Sequence, residues 1–329
     1  MISIITGDLF SSTALFCGET YSVSAIAFPE RPLLEADPAV FARDFDKNCF
    51  TFTHRLSNSP LFETDQLLTL ARRRARDLND VYYDAGDIRV DQRWDQSPPC
   101  DLPVDELLRR IESAGAWIIL RHVQNDPEYA GLVDACMDEI VALSGRDLSQ
   151  VMKLRDSIIF INSPNRITTY HIDRECSWLY QIQGRKTISI FDPTDRDVLP
   201  EREIEKFWEV DNNAAIYRPQ YQSRATVIEL LPGQGVHIPV GAPHWVRNGP
   251  EVSVSLNINF HYRDAITADV YRANYWLRRL GLNPTPPRVS AFKDAIKRSV
   301  YGTVNRTVLQ PARAARGLIR AMKHPARKT

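Results

Sequence analysis

No stretch of this chain approaches the roughly 18 consecutive apolar residues of a membrane helix, although 43% of its 329 residues are hydrophobic. Apolar side chains are spread along the sequence instead, enough to bury a sizeable core in one large domain or two. Cysteine is scarce: Cys17, Cys49, Cys100, Cys136 and Cys176 are odd in number and form no C-x-x-C pair. That argues against a disulfide framework and against a thiolate zinc site, and leaves free thiols. Residues 1–8 hold no cation and so lack the basic start of a secretory signal; a cytoplasmic protein is expected. Internal repeats and low-complexity segments are missing too.

Net charge is absent, with 41 basic and 41 acidic side chains, but the balance is uneven along the chain. Residues 288–329 hold eleven Lys or Arg and one acid, Asp294, so residues 1–287 carry 30 basic against 40 acidic groups. An acidic body ends in a basic tail. Asn283-Pro284-Thr285-Pro286-Pro287 makes a stiff break before it. From Pro311 on, Ala314, Ala315, Leu318, Ile319 and Met322 share one helical side, with Arg313, Arg316 and Arg320 elsewhere. Such a basic amphipathic helix suits nucleic acid, an anionic membrane surface, an acidic partner, a second subunit in a homodimer or the chain's own acidic body.

What is present reads as a mixed α+β chain. Alternating stretches at 22–28 and 50–56 predict strands. Thr64-Asp65-Gln66 starts a helix running towards Leu78, with Leu67, Leu68, Leu70 and Ala71 on its apolar side and Arg72, Arg73, Arg74 and Arg76 on a solvated one. Val81-Tyr82-Tyr83 opens a strand. Pro98, Pro99 and Pro103 lie within six residues, a spacing that neither a helix interior nor a central strand accepts. The expected organisation is therefore an N-terminal α+β region over 1–100, a catalytic region over 101–283 and a helical tail over 284–329. Within the catalytic region, 102–114 and 129–143 read as helices, 116–120 as a buried strand, and 157–161 as a strand leading into the most informative motif.

That motif is Asn165-Arg166-Ile167-Thr168-Thr169-Tyr170-His171-Ile172-Asp173. On an extended strand His171 and Asp173 share one face while Ile172 points away. A third ligand follows in Ile238-Pro239-Val240-Gly241-Ala242-Pro243-His244-Trp245. A His, Asp, His set occupying three adjacent corners of an octahedron is the arrangement suited to non-haem Fe(II) and oxygen chemistry.

Several neighbouring motifs agree in order and spacing: Trp178-Leu179-Tyr180-Gln181-Ile182-Gln183-Gly184-Arg185-Lys186 running into Ile188-Ser189-Ile190-Phe191-Asp192-Pro193, then Pro232-Gly233-Gln234-Gly235-Val236-His237-Ile238-Pro239. On these, residues 159–260 resemble the JmjC-type cupin oxygenases, and within them the asparaginyl hydroxylase of hypoxia-inducible factor. The resemblance implies a mainly β core folded as a double-stranded β-helix, with flanking helices, and the cofactors Fe(II) and 2-oxoglutarate. It implies His171, Asp173 and His244 as both metal ligands and catalytic residues. His237 is the rival for the last ligand, but it stands where the family has an apolar residue, whereas His244 follows the turn where the family ligand falls. Ala242-Pro243 replaces the family's aromatic pair before that ligand and alters the expected pocket shape. His54 and His261 are read as structural, and Cys176 as a small buried residue.

Lys186 shares parity with Ile188 and Ile190, so it points to the apolar side. An unpaired ammonium is costly there, and a bound dicarboxylate would supply its partner. The position matches the family lysine that holds the distal carboxylate of 2-oxoglutarate; the alternative is a lysine that snorkels to water. Thr168 matches a family threonine that hydrogen-bonds 2-oxoglutarate. Parity, however, puts Thr169 on the face of His171, so Thr168 requires a bulge. Asn259 matches a family asparagine near the same cosubstrate. Its strand alternates Ser253, Ser255, Asn257 and Asn259 against Val254, Leu256, Ile258 and Phe260, which equally describes a solvent-facing strand and leaves Asn257 as an alternative.

Two function classes follow. One is a 2-oxoglutarate-dependent dioxygenase that hydroxylates a protein or peptide side chain or a small molecule, forming succinate and carbon dioxide as the resemblance implies. The other is a non-catalytic cupin module that binds a ligand or recruits a partner. The complete ligand set together with a buried lysine favours the enzyme.

Overall fold

A computed structural model of the chain describes residues 32–311, apart from 78, 98–99, 101 and 263–265. The strand expected at 22–28 and the basic helix expected after Pro311 lie outside the described residues. In chain order the elements are β1 (Leu34–Glu35), α1 (Pro38–Asp44), β2 (Phe50–His54), α2 (Thr64–Arg74), β3 (Val81–Ala85), α3 (Val104–Arg109), β4 (Ala116–Leu120), α4 (Ala130–Ser144), α5 (Leu148–Val151), β5 (Met152–Asn162), β6 (Ile167–His171), β7 (Cys176–Gln183), β8 (Lys186–Ile190), α6 (Glu201–Glu209), β9 (Thr226–Leu230), β10 (Gln234–Ile238), β11 (His244–Asn248), β12 (Ser253–Tyr262), α7 (Ile266–Arg279) and α8 (Ala291–Val304).

Local chemistry accounts for several boundaries. The Asp37 side chain accepts from the Ala39 amide at 2.8 Å and Pro38 supplies a preset first turn, so α1 begins there. Gly145 takes the left-handed conformation that ends α4. The helix read over 102–114 is shorter than its apolar spacing suggested, because Arg110 leaves helical geometry and the chain turns towards Gly115. Arg73 and Arg74, expected on a solvated face, are ion-paired instead, Arg73 with Asp126 at 2.8 Å and Arg74 with Asp80, because the chain after α2 folds buried acids against that face.

Strands β5 to β12 divide between two antiparallel sheets, alternating except that β8 and β9 are neighbours in the smaller one. One has the order β1-β2-β10-β7-β12-β5-β4-β3 and the other β6-β11-β8-β9. This is the double-sheet arrangement of a jelly roll, the expected double-stranded β-helix. Side-chain alternation gives the larger sheet two different faces. Trp178, Tyr180, Leu256, Ile258, Phe260, Ile159 and Ile161 point outwards into a core shared with the flanking helices. Their neighbours Ser177, Leu179, Asn257, Asn259, Ile158 and Phe160 line the space between the sheets. The outward face carries the packing; the inward face is left for chemistry. Gly184 (φ 65°) turns β7 into β8 where a Cβ would lie 2.3 Å from the Val252 carbonyl oxygen, and this tight hairpin sets the parity of Lys186. Among the described residues no helix is long and apolar enough to cross a membrane.

Candidate metal centre and its pocket

Pairing across the smaller sheet stacks the expected site residues on one face. His171 stands opposite His244, which stands opposite Ile190; Thr168 is level with Val246 and Ile188; Asn248 is level with Lys186. Between His171 and Thr168 the register slips by one residue, and the Tyr170 amide leaves the ladder to bond the Val90 carbonyl at 2.9 Å. This irregularity is the bulge that Thr168 needs to share the interior with His171. Asp173 follows on the loop into β7, where the Gly241 amide holds its carbonyl at 3.0 Å.

Asp173 Oδ2 lies 3.6 Å from His171 Nε2 and 3.6 Å from His244 Nε2, and the two imidazole centroids are 4.2 Å apart. The Nδ1 atoms are occupied, His171 with the Thr169 carbonyl at 2.7 Å and His244 with the Ala242 carbonyl at 3.0 Å. Both rings thereby keep an Nε2 lone pair facing Asp173, the tautomer a metal ligand requires. Ala242, the residue that departs from the family's aromatic pair, contributes by its backbone. Burial and the neighbouring His171 push the His244 pKa down to about 4. Burial opposes charge on His171 as well, but Asp173 and the Thr169 carbonyl outweigh it and raise its pKa. They likewise reverse the effect of burial on Asp173, which the two histidines hold at about 2. An anionic carboxylate and two aimed imidazoles form a donor set for a divalent transition metal.

Lys186 is buried, and burial alone pushes its pKa down to about 7. It has no acidic partner among the described residues. From the His244 position to the Lys186 position is two rungs of the sheet, a gap that an extended lysine and a short dicarboxylate together span. Asn259 is buried and faces the interior, not solvent, and its Oδ1 accepts from Ser177 Oγ at 2.7 Å. Asn257, one rung away on the same face, has a buried Oδ1 with no hydrogen-bond partner. The cavity these residues share is about 480 Å³. Part of its wall is Tyr82, Trp117 and Phe160, whose rings pack at 6.0 and 6.1 Å, and its lining also includes Arg121, Arg174 and Phe207.

Sequence reasoning passed over Ser177, Asp156 and the aromatic wall. Parity with Phe160 and Ile158 would have placed Asp156 on the interior face; the wall joins three strands that only the fold brings together.

The rival His237 points the other way, into the outer core. Its Nε2 accepts from the Asp46 amide at 3.2 Å and its Nδ1 meets the Ser177 carbonyl at 3.2 Å, while its ring packs 4.6 Å from Trp178. Asp46, Cys176 and His237 do form a second cluster with metal-ligand chemistry. Both nitrogens of that histidine are already engaged, so it offers no free lone pair. His54 and His261 are also satisfied, His54 by the Gln234 carbonyl at 3.1 Å and His261 by Glu175 at 3.0 Å. Replacing His237 with Ala is expected to cost about 2–4 kcal/mol of stability in chemical denaturation, through a cavity and an unpaired amide. Bound iron per chain should stay unchanged; a lost equivalent of iron would make His237 a ligand.

Residues 104–266 match the model of the cupin-like domain family. The HSPB1-associated protein 1 homolog of Danio rerio is 31% identical over 112 residues, 31% of this chain and 25% of that protein. HSPB1-associated protein 1 of Rattus norvegicus is 32% identical over 112 residues, 31% of this chain and 23% of that protein. The chain thus spans about a quarter of the length of the curated relatives it matches. Among solved structures, YcfD, a ribosomal oxygenase from Escherichia coli in complex with cobalt and succinic acid, aligns over 82% of this chain and 67% of its own, with 18% identity and a TM-score of 0.44. The same protein with cobalt and 2-oxoglutarate gives 16% identity and a TM-score of 0.44.

Proposed function

We propose that the chain, whose residues 104–266 match the cupin-like domain family, is a JmjC-type Fe(II)- and 2-oxoglutarate-dependent oxygenase hydroxylating a protein or peptide side chain or a small molecule. The observation that carries this reading is the conjunction on one interior face of three metal-donor groups and, two rungs below, a buried lysine without an acid partner among the described residues.

His171, Asp173 and His244 would hold the metal through Nε2, a carboxylate oxygen and Nε2, leaving the cavity side of the ion open. The iron and 2-oxoglutarate, when bound, supply the oxidising power, with succinate and carbon dioxide as products. Everything else is positioning. Lys186 would meet the distal carboxylate in a charge-assisted bond that also relieves its own unpaired burial. Thr168 and Asn259, from opposite sheets, would bond the rest of the cosubstrate, with Ser177 fixing the Asn259 amide. Leu179, Ile188 and Val246 line the same space and exclude water from it.

Succinate formation without added substrate tests this directly. Purified chain with Fe(II), 2-oxoglutarate and oxygen is expected to produce succinate slowly, and a chelator should stop it. Succinate at the level of buffer with iron alone would turn the reading to a ligand-binding cupin.

A further inference from the structure

Asp156, Ile158, Phe160 and Asn162 form the interior row of β5 and line the cavity. Asp156 is only 8% exposed, and its Oδ1 has no hydrogen-bond partner among the described residues. Its charged neighbours do not satisfy it. Arg121 Nη2 stands 3.5 Å from Oδ2, longer than the roughly 2.7–2.9 Å of a charge-assisted bond, on a side chain that is 44% exposed. His122 Nε2 stands 3.9 Å from Oδ1, while its Nδ1 is taken by Asp80 at 2.6 Å. A buried carboxylate oxygen in this state is costly until a donor meets it.

Register places that oxygen at the metal end of the cavity. Asp156 pairs with Asn259, and Asn259 pairs with Ser177, so one rung of the larger sheet carries all three. The loop from Asp173 leads directly into that rung. Asn257, diagonal to Asp156 on the same face, adds a second buried Oδ1 without a partner.

The missing donor is not supplied by the groups already assigned. From Ser177 to Gln183 the larger sheet runs about 20 Å towards the hairpin that carries Lys186, beyond the reach of that side chain. 2-Oxoglutarate offers only acceptors, and its carboxylates would be repelled by Asp156. A carboxamide such as Asn257 can turn its amide to suit a ligand, but a carboxylate only accepts. The partner of Asp156 therefore brings its own donors, and a charge-assisted bond favours a cation.

We propose, building on the oxygenase reading above, that Asp156 is a specificity-determining residue and that the substrate presents to it a cationic N–H group, an amine or a guanidine, with Asn257 taking a further donor. The test is calorimetric titration of the full chain, without oxygen and with Fe(II) and 2-oxoglutarate present, using butylguanidine, butylamine and butylurea, the last a neutral isostere of the first. At least one cation is expected to bind, and the tighter of the two identifies its kind. Butylurea should bind about tenfold more weakly than butylguanidine if guanidine is preferred, and Asp156→Asn should weaken the preferred cation by about tenfold or more. The melting temperature of that variant should be no lower than that of wild type, because no hydrogen bond to Oδ1 is lost. Failure of both cations to bind wild type overturns the proposal. So does a neutral probe that binds as tightly as either cation, a comparison that stands whether or not the variant folds. Unchanged cation binding in a folded Asp156→Asn overturns it as well. None of these titrations needs turnover, so their failure is distinct from that of the oxygenase reading, which wild-type succinate formation tests by itself.

Discussion

Asp173→Ala is expected to lower Fe(II)-dependent succinate formation by 100-fold or more and to weaken metal binding by a similar factor. The carboxylate is the only anion of the proposed donor set, and it stands 3.6 Å from both histidine Nε2 atoms. Without it a divalent ion would meet two neutral imidazoles, and losing merely a hydrogen-bond partner of a metal ligand typically costs 10–100-fold. The fold should survive, because the Asp173 side chain is 36% exposed and its backbone, not its carboxylate, ties the loop to Gly241. Circular dichroism and thermal melting of the variant check that half of the expectation. Unaltered succinate output from a variant that folds would remove Asp173 from the centre.

Lys186→Met carries the other large effect, and its two halves have opposite signs. Loss of the ammonium should weaken 2-oxoglutarate at least 100-fold while leaving Fe(II) affinity nearly unchanged, since the lysine is two rungs from the histidines. The unliganded variant should be more stable than wild type at pH 6, by on the order of 2 kcal/mol, because a buried cation without a partner is replaced by an isosteric thioether. The pH dependence follows from a pKa lowered from 10.5 to about 7. Between these values the unfolded chain keeps the proton that the folded chain has lost. Wild-type stability therefore rises with pH across this window, and the advantage of the variant, full below pH 7, fades towards pH 10.5. Cosubstrate binding runs the other way. A dicarboxylate binds the protonated amine, so above about pH 7 wild-type affinity should fall roughly tenfold per pH unit, while the variant stays flat. Calorimetric titration at pH 6.5, 7.5 and 8.5 reads this slope, and a flat wild-type profile would put Lys186 outside the cosubstrate site.

Much of this site is legible in the sequence because strand parity is a two-state rule. Lys186, Ile188 and Ile190 had to share a face, and they do. The conflict at Thr168 was equally readable: a residue one step out of parity needs a bulge, and the bulge is present at Tyr170. Parity fails where the two faces of a sheet are both buried. Ser253, Ser255, Asn257 and Asn259 alternate as a solvent-facing strand would, yet all four are buried, Asn257 and Asn259 lining the cavity and Ser253 and Ser255 bonding the Gln181 side chain, because only the second sheet shows that this surface is covered. The charge count drew attention to the chain beyond residue 288. It gave no sign that Phe292, Ile296 and Val300 would be uncovered, since exposure depends on which side of α8 meets α7. Arg74 shows the same limit: an arginine on a helix reads as solvated until a distant acid, here Asp80, is folded against it.

On the function proposed, one interior face binds Fe(II) and 2-oxoglutarate together. Anaerobic titration of the iron-loaded chain with 2-oxoglutarate, followed by visible absorbance, tests it most directly. A metal-to-ligand charge-transfer band is expected that saturates at one cosubstrate per chain in wild type, needs far more 2-oxoglutarate in Lys186→Met, and is absent in Asp173→Ala. A chain that binds iron but develops no such band at any 2-oxoglutarate concentration would contradict it.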